Sequence, residues 1–99
     1  MSNEFEIELE KLRGEINEID DAIYRHLLAR IYFTTQIGFL KKQHGVSEMS
    51  ETRRNEIYEK LKKWAVEDGI PVSLVTQIYD IIFEFSVIEQ VLIITEKDS

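Results

Sequence analysis

The chain has 99 residues, enough for one domain with a modest hydrophobic core of its own. Hydrophobic residues make up 43 % and charged residues 31 %, a balance typical of a soluble, helix-rich globular protein and not of a disordered one. The net charge of −7 argues against nucleic-acid binding, and the lack of cysteine excludes disulfides and thiolate metal sites.

Neither the N-terminal residues nor the most apolar stretch of the chain has the pattern of a membrane-targeting or membrane-spanning segment. The first four residues lack the basic-then-apolar pattern of a signal peptide. Residues 78–94 form the longest apolar-rich stretch, but acidic and polar residues interrupt it, so we expect no membrane span. Together with the missing cysteines, this favours a cytoplasmic location.

The first predicted helix runs from residue 4 to about 44, with a glycine stop at Gly45. It contains no proline, and its apolar residues recur every three or four positions, as on one face of an amphipathic helix. This apolar stripe comprises Leu9, Leu12, Ile16, Ile19, Ile23, Phe33, Ile37 and Leu40. Such a helix would be roughly 60 Å long, whereas a domain of this size has a radius of gyration of about 13 Å. We therefore expect a second copy of the chain to cover it.

Cations lie along the same helix. Arg30 stands where the stripe calls for an apolar residue, and Lys41 follows eleven residues later, so the two point within about 20° of one another. Arg13 lies about 25 Å before Arg30 and about 100° around the axis, which places it within reach of a partner's site in a crossed or antiparallel dimer. Inward cations in an acidic protein favour a small anionic ligand. The alternative, strongest for Arg13, is an ordinary surface cation.

The second predicted helix covers residues 50–67, with Ser47 or Ser50 as its cap and a glycine stop at Gly69. Arg53 and Arg54 stand in its first turn, where the helix dipole disfavours positive charge. A bound anion would explain them, and a solvated basic pair is the alternative.

The third predicted helix covers residues 71–95 and is apolar around most of its circumference, as expected of a buried helix. Ser86 and Gln90 stand one turn apart within it. A buried glutamine is costly unless its hydrogen bonds are satisfied, so Gln90 is either a ligand-binding residue, a tertiary hydrogen-bonding residue or a surface residue. We expect Glu89 to be exposed.

The sequence contains no motif typical of phosphate binding, nucleophilic catalysis or metal binding. His26 and His44 are isolated, and there is no glycine-rich phosphate loop, no serine–histidine–aspartate order and no metal-ligand spacing. We therefore expect no metal and no cofactor.

The order and spacing of five polar residues on the three predicted helices resemble those of the functional residues of the all-helical chorismate mutase family. These residues are Arg13, Arg30, Lys41, Arg53 and Gln90, and the resemblance extends over residues 9–92. It implies an all-α fold, in which residues 1–99 form a single domain of three helices that builds an intertwined homodimeric bundle. It also implies a dicarboxylate substrate, chorismate, and a place in the shikimate pathway and aromatic amino acid biosynthesis.

The resemblance also implies roles for individual residues. Arg13 of the partner subunit and Arg30 would clamp the carboxylates, with a further hydrogen bond from Ser86. Lys41 and Gln90 would donate to the ether oxygen as the C–O bond breaks. Apolar walls would exclude water, and they are formed by Ile37, Phe83 and Val87.

Two positions depart from the family pattern. Arg53 matches the arginine that opens the second helix, but Arg54 replaces a glutamate that binds the substrate hydroxyl, and Ser50 replaces an aspartate. We therefore do not carry the family's mode of ring-substituent recognition over to this chain.

Three alternatives stay open. Residues 63–70 and the pair Glu89-Gln90 are also similar to isochorismate pyruvate-lyase, a relative of the same fold that yields salicylate and pyruvate. A mutase acting on 4-amino-4-deoxychorismate differs from its relatives at the ring substituent, as this chain does. A non-catalytic helical dimerisation module would explain the apolar stripe but not Arg30, Lys41 and Gln90.

Overall fold

The computed structural model describes residues 2–96, which form three helices: α1 (Ser2–Gln43), α2 (Glu51–Asp68) and α3 (Val72–Thr95). No strand occurs in this range, so the predicted all-α class with three helices is confirmed. The helix bounds lie within two residues of those predicted. Over the described residues, none of the three helices has an apolar stretch long enough to span a bilayer.

The helix ends follow from local sequence. Ser50 caps α2, since its side chain accepts a hydrogen bond of 3.1 Å from the backbone N–H of Arg53. Gly69 follows α2 and Gly45 follows α1, both in the left-handed conformation, with φ of 69° and 67°. Glycine adopts this conformation without a Cβ penalty, which lets the chain turn back on the last carbonyls of each helix. The predicted stops at these two glycines are confirmed.

The chain divides into two units, Met1–Phe33 and Thr34–Ser99. The described residues of the first unit, 2–33, all belong to α1, and no side chain of residues 3–33 is fully buried. Its apolar stripe lies open, with Leu12 and Ile23 each 60 % exposed and Ile19 52 % exposed. Most of a helix's stability in proteins comes from packing of its apolar face, and over residues 3–33 of the single chain this face is left largely exposed.

The second unit has its core between α2 and α3. Phe83, 8 % exposed, meets the edges of two tyrosine rings, Tyr58 at 5.2 Å and Tyr79 at 5.7 Å between centroids. Ala65 on α2 is 3 % exposed. The Tyr58 hydroxyl donates a hydrogen bond to Asp80, which joins the two helices at the edge of this core.

The outer face of α3 is not covered within one chain. Ile78 is 50 % exposed, Ile81 70 % and Leu92 63 %. The expectation of a helix buried around most of its circumference is therefore wrong for the single chain, since α3 carries more apolar surface than its contacts within the second unit cover.

Candidate active site

Lys41 and Gln90 form a direct hydrogen bond between α1 and α3. The Lys41 ammonium donates to Oε1 of Gln90 at 2.9 Å and also lies 3.7 Å from the Met49 sulfur. An ammonium group has only hydrogens to offer, so the amide of Gln90 must turn its oxygen towards Lys41. The NH₂ group is then the end of Gln90 that can serve another acceptor. The structure thus brings together two predicted site residues that are 49 positions apart in the chain.

Two of the four side chains that are buried in the described part of the chain are polar. Four side chains are buried there: Ala65, Phe83, Ser86 and Gln90. Ser86 donates its hydroxyl to the carbonyl of Ile82 at 2.9 Å. Burying polar groups is unfavourable unless they are hydrogen-bonded, so their position one turn apart on α3 indicates a polar site and not a simple core.

A second polar contact flanks this pair. Glu89, expected to be exposed, is half-buried and accepts a hydrogen bond from the hydroxyl of Thr35 on α1. The expectation was wrong because exposure of Glu89 depends on how α3 is rotated against α1, which spacing along α3 alone does not reveal.

Gly38 lies between the two polar contacts and is buried. A Cβ at this position would lie 3.1 Å from the terminal methyl of Ile93 and 3.5 Å from Cγ of Gln90. Glycine therefore permits the close approach of α1 to α3 beside Gln90. A glycine inside a strong helical pattern was the available sequence signal for such a contact.

A cavity of about 430 Å³ opens between α2 and α3. Its lining residues are Arg54, Tyr58, Asp80, Glu84, Val87 and Ile88. The Arg54 guanidinium lies 5.6 Å from the centre of the Phe83 ring, a favourable cation–π distance. Arg54 thus shares the cavity with one predicted apolar wall, Val87, and contacts the other, Phe83, through its ring face.

Tyr58, which lines this cavity, has a displaced pKa. The hydrogen bond to Asp80, partial removal from water and the negative charge of that carboxylate raise the pKa of Tyr58 above its ordinary value of 10.0. The positive charge of Arg54 acts in the opposite direction. Arg54 and Asp80 are therefore both close enough to influence the tyrosine.

Two further predicted residues of the second unit lie at its surface. Arg53 is exposed and pairs with Glu56 at 3.7 Å, one helical turn away. Ile37, predicted as an apolar wall, is 45 % exposed. Their roles in binding stay predictions.

Arg13 and Arg30 belong to the first unit. Arg13 is exposed and pairs with Glu10 at 3.2 Å, an arrangement of little energetic value at a surface. Arg30 is half-buried. Their predicted roles as carboxylate clamps stay predictions. Among residues 2–96 there is no cluster of three or more histidine, aspartate or glutamate side chains placed to hold a metal ion.

Residues 12–91 match the family described as chorismate mutase type II. The chain belongs to this family. It is accordingly a chorismate mutase-type enzyme, an isomerase. It is 28 % identical over 75 residues to the 4-amino-4-deoxychorismate mutase of Streptomyces venezuelae, an alignment that covers 76 % of this chain and 73 % of the relative. No solved structure gives a significant match to it.

In this chorismate mutase-type chain, the departure at Ser50 has a structural explanation. Serine and aspartate are both good helix N-caps, and Ser50 makes the capping bond to the backbone of Arg53. The replacement keeps the start of α2 intact and removes one negative charge from it. Arg54 has no such explanation in capping.

Proposed function

We propose that the chain converts chorismate to prephenate by a concerted [3,3] rearrangement. In this reaction the C–O bond of the enolpyruvyl ether breaks while a C–C bond forms, so no nucleophile or acid–base pair is required. The protein has to hold the compact conformer of the substrate and to stabilise negative charge on the ether oxygen.

The observation that carries this proposal is the 2.9 Å hydrogen bond between Lys41 and Gln90. This contact places an ammonium and an amide NH₂ side by side, one turn of α3 from the buried Ser86. The chain that carries them is a member of the chorismate mutase type II family. Both groups can donate to one oxygen that becomes negative. Because each is fixed by the other before the substrate arrives, little reorganisation is needed during the reaction.

The substrate carboxylates require cations beyond this pair. We assign them to Arg30 and to Arg13 of the partner subunit, with Arg53 near the opening of the site. Guanidinium groups bind carboxylates in a bidentate manner, which fixes orientation as well as charge.

We further propose that the hydroxyl-bearing substrate is preferred over the amino analogue for which the Streptomyces venezuelae relative is named. An amine on the ring is protonated at neutral pH. Arg54 is half-buried against Phe83. The two acids of the same cavity, Asp80 and Glu84, are both exposed and more strongly screened, and Asp80 already accepts a hydrogen bond from Tyr58. The less screened charge dominates, so the cavity disfavours an ammonium group.

The proposed active form is an intertwined homodimer. The exposed apolar stripe of the first unit and the exposed apolar residues of α3 offer the surface for a second copy. In a symmetric dimer each copy both gives and receives the same contacts, so each site would take Arg13 from the other chain.

The test is incubation with chorismate, isochorismate and 4-amino-4-deoxychorismate in separate reactions, followed by product analysis. We expect prephenate from chorismate and slower turnover of the amino analogue. Salicylate and pyruvate from isochorismate, with no prephenate from chorismate, would identify a lyase instead. No product from any of the three would favour the non-catalytic dimerisation module.

A further inference from the structure

The contacts between the end of α1 and α3 form one continuous row. Thr35 donates to Glu89, Gly38 faces Gln90 and Ile93, and Lys41 donates to Gln90. On α1 these residues are spaced by three, so neighbouring members lie next to one another in a row inclined to the helix axis. The polar pair of the proposed site therefore lies in the same row as the Thr35–Glu89 hydrogen bond, and both join the same two helices.

Glu89 and Gln90 are neighbours in sequence, about 100° apart around α3. Fixing the direction of Glu89 towards Thr35 therefore also fixes the rotation of α3 that points Gln90 at Lys41. Thr35 is suited to this because a β-branched side chain has little freedom at χ1. A half-buried carboxylate is unfavourable for stability unless it is hydrogen-bonded, and the hydroxyl of Thr35 supplies that hydrogen bond to Glu89.

We propose that the Thr35–Glu89 hydrogen bond is a positioning pair that holds Lys41 and Gln90 in the geometry needed to donate to the ether oxygen; this rests on the proposed function. Gly38 supplies the room for it, since a larger side chain would press on Gln90. Thr35 and Glu89 act through the Lys41–Gln90 pair and need not touch the substrate.

The two donors serve an oxygen that becomes negative only in the transition state. Misplacing them therefore lowers kcat and leaves KM nearly unchanged. Replacing Thr35 with valine keeps the shape and removes the donor. We expect Thr35→Val to lower kcat roughly tenfold, within the usual range for residues coupled through one hydrogen-bond network. Thr35→Ser and Glu89→Gln retain a donor and an acceptor, and both should recover most of kcat.

A matched control is Thr95→Val. Thr95 on α3 donates its hydroxyl to the carbonyl of Val91 at 2.7 Å, and it is exposed. The variant thus removes a threonine hydroxyl from α3, the helix that carries Glu89, without touching the row of contacts, and we expect an unchanged kcat.

The double variant Thr35→Val with Glu89→Leu distinguishes a positioning role of the pair from a purely structural one. Replacing both partners by apolar groups leaves no buried group unsatisfied, so the thermal midpoint should return close to that of the wild type. A positioning role predicts that kcat nevertheless stays low. If kcat recovers together with the midpoint, the pair serves stability only and the proposal is wrong.

A readout independent of turnover is the side-chain amide of Gln90, observed by ¹⁵N–¹H NMR without substrate. Thr35→Val should shift and broaden this resonance, because Gln90 loses its fixed contact with Lys41, while Thr95→Val should leave it in place. An unmoved resonance in Thr35→Val would overturn the proposal. Should the wild type turn over none of the three substrates, the proposed function fails and this NMR comparison still decides the positioning role.

Discussion

At the scale of single residues, the distinctive feature is an ammonium group that is hydrogen-bonded to a buried amide instead of to a carboxylate. A carboxylate partner would neutralise Lys41 and accept its hydrogens. Gln90 leaves the positive charge in place and adds a donor of its own. This pairing is suited to a reaction in which charge appears on an oxygen without proton transfer.

Removing either donor is therefore expected to affect the rate and not the fold. Lys41→Met keeps the aliphatic stem and loses the charge. We expect kcat/KM for chorismate to fall by about 10²–10³-fold, as for the loss of one preorganised donor. Circular dichroism and the thermal midpoint serve as the control for folding. A folded Lys41→Met protein with near wild-type kcat/KM would remove Lys41 from the chemistry.

Arg54 provides the residue-scale test of substrate choice. Arg54→Glu reverses the charge beside Phe83 and should shift the preference towards the amino analogue, measured as the ratio of kcat/KM for the two substrates. We expect a shift of roughly tenfold or more, since two unit charges 4 Å apart near a protein surface interact by about 1–4 kcal/mol. The exposed Arg53 is not a suitable control because it is assigned to binding. Glu59→Lys, on an exposed part of α2, changes a charge away from the cavity and should leave the ratio unchanged.

At the scale of elements, α2 and α3 are joined at Tyr58 and Asp80, and this contact is sensitive to alkaline pH. The neutral phenol donates to the carboxylate, which raises the pKa of Tyr58 above its ordinary value. The contact thus contributes fully below the ordinary pKa of tyrosine and is lost as pH rises through the raised pKa.

The corresponding measurement is an ultraviolet titration of tyrosinate in the folded protein, with Tyr58→Phe used to assign the transition of Tyr58 among the four tyrosines. Asp80→Ala should move that transition to lower pH, because the acceptor and its negative charge are gone while Arg54 remains. An unchanged titration curve in Asp80→Ala would mean that the two side chains are not paired in solution.

At the scale of the whole molecule, local rules account for the elements but not for every contact. Helix bounds followed from periodicity and from Ser50, Gly45 and Gly69, because caps and left-handed glycines depend on short-range sequence. Gln90 was singled out because a polar residue in an apolar helix is informative. The Thr35–Glu89 contact was missed, since the rotation of one helix against another is fixed by packing and not by spacing.

The exposed apolar stripe of the unit Met1–Phe33 is a surface through which two copies of the chain could assemble. If a second copy covers it, each site combines Arg13 of the partner subunit with Lys41 and Gln90. Two variants that each damage a different part of the site then become complementary. Arg13→Ala removes the arginine that a chain supplies to its partner's site. Gln90→Leu removes the glutamine of the chain's own site.

Unfolding these two variants together and refolding them as a mixture gives the most direct measurement. With random pairing, half of the dimers are mixed and one of their two sites is intact, so the mixture should recover about a quarter of the wild-type activity. Each variant refolded alone should stay nearly inactive. A mixture no more active than the two variants refolded separately would contradict a site shared between two chains.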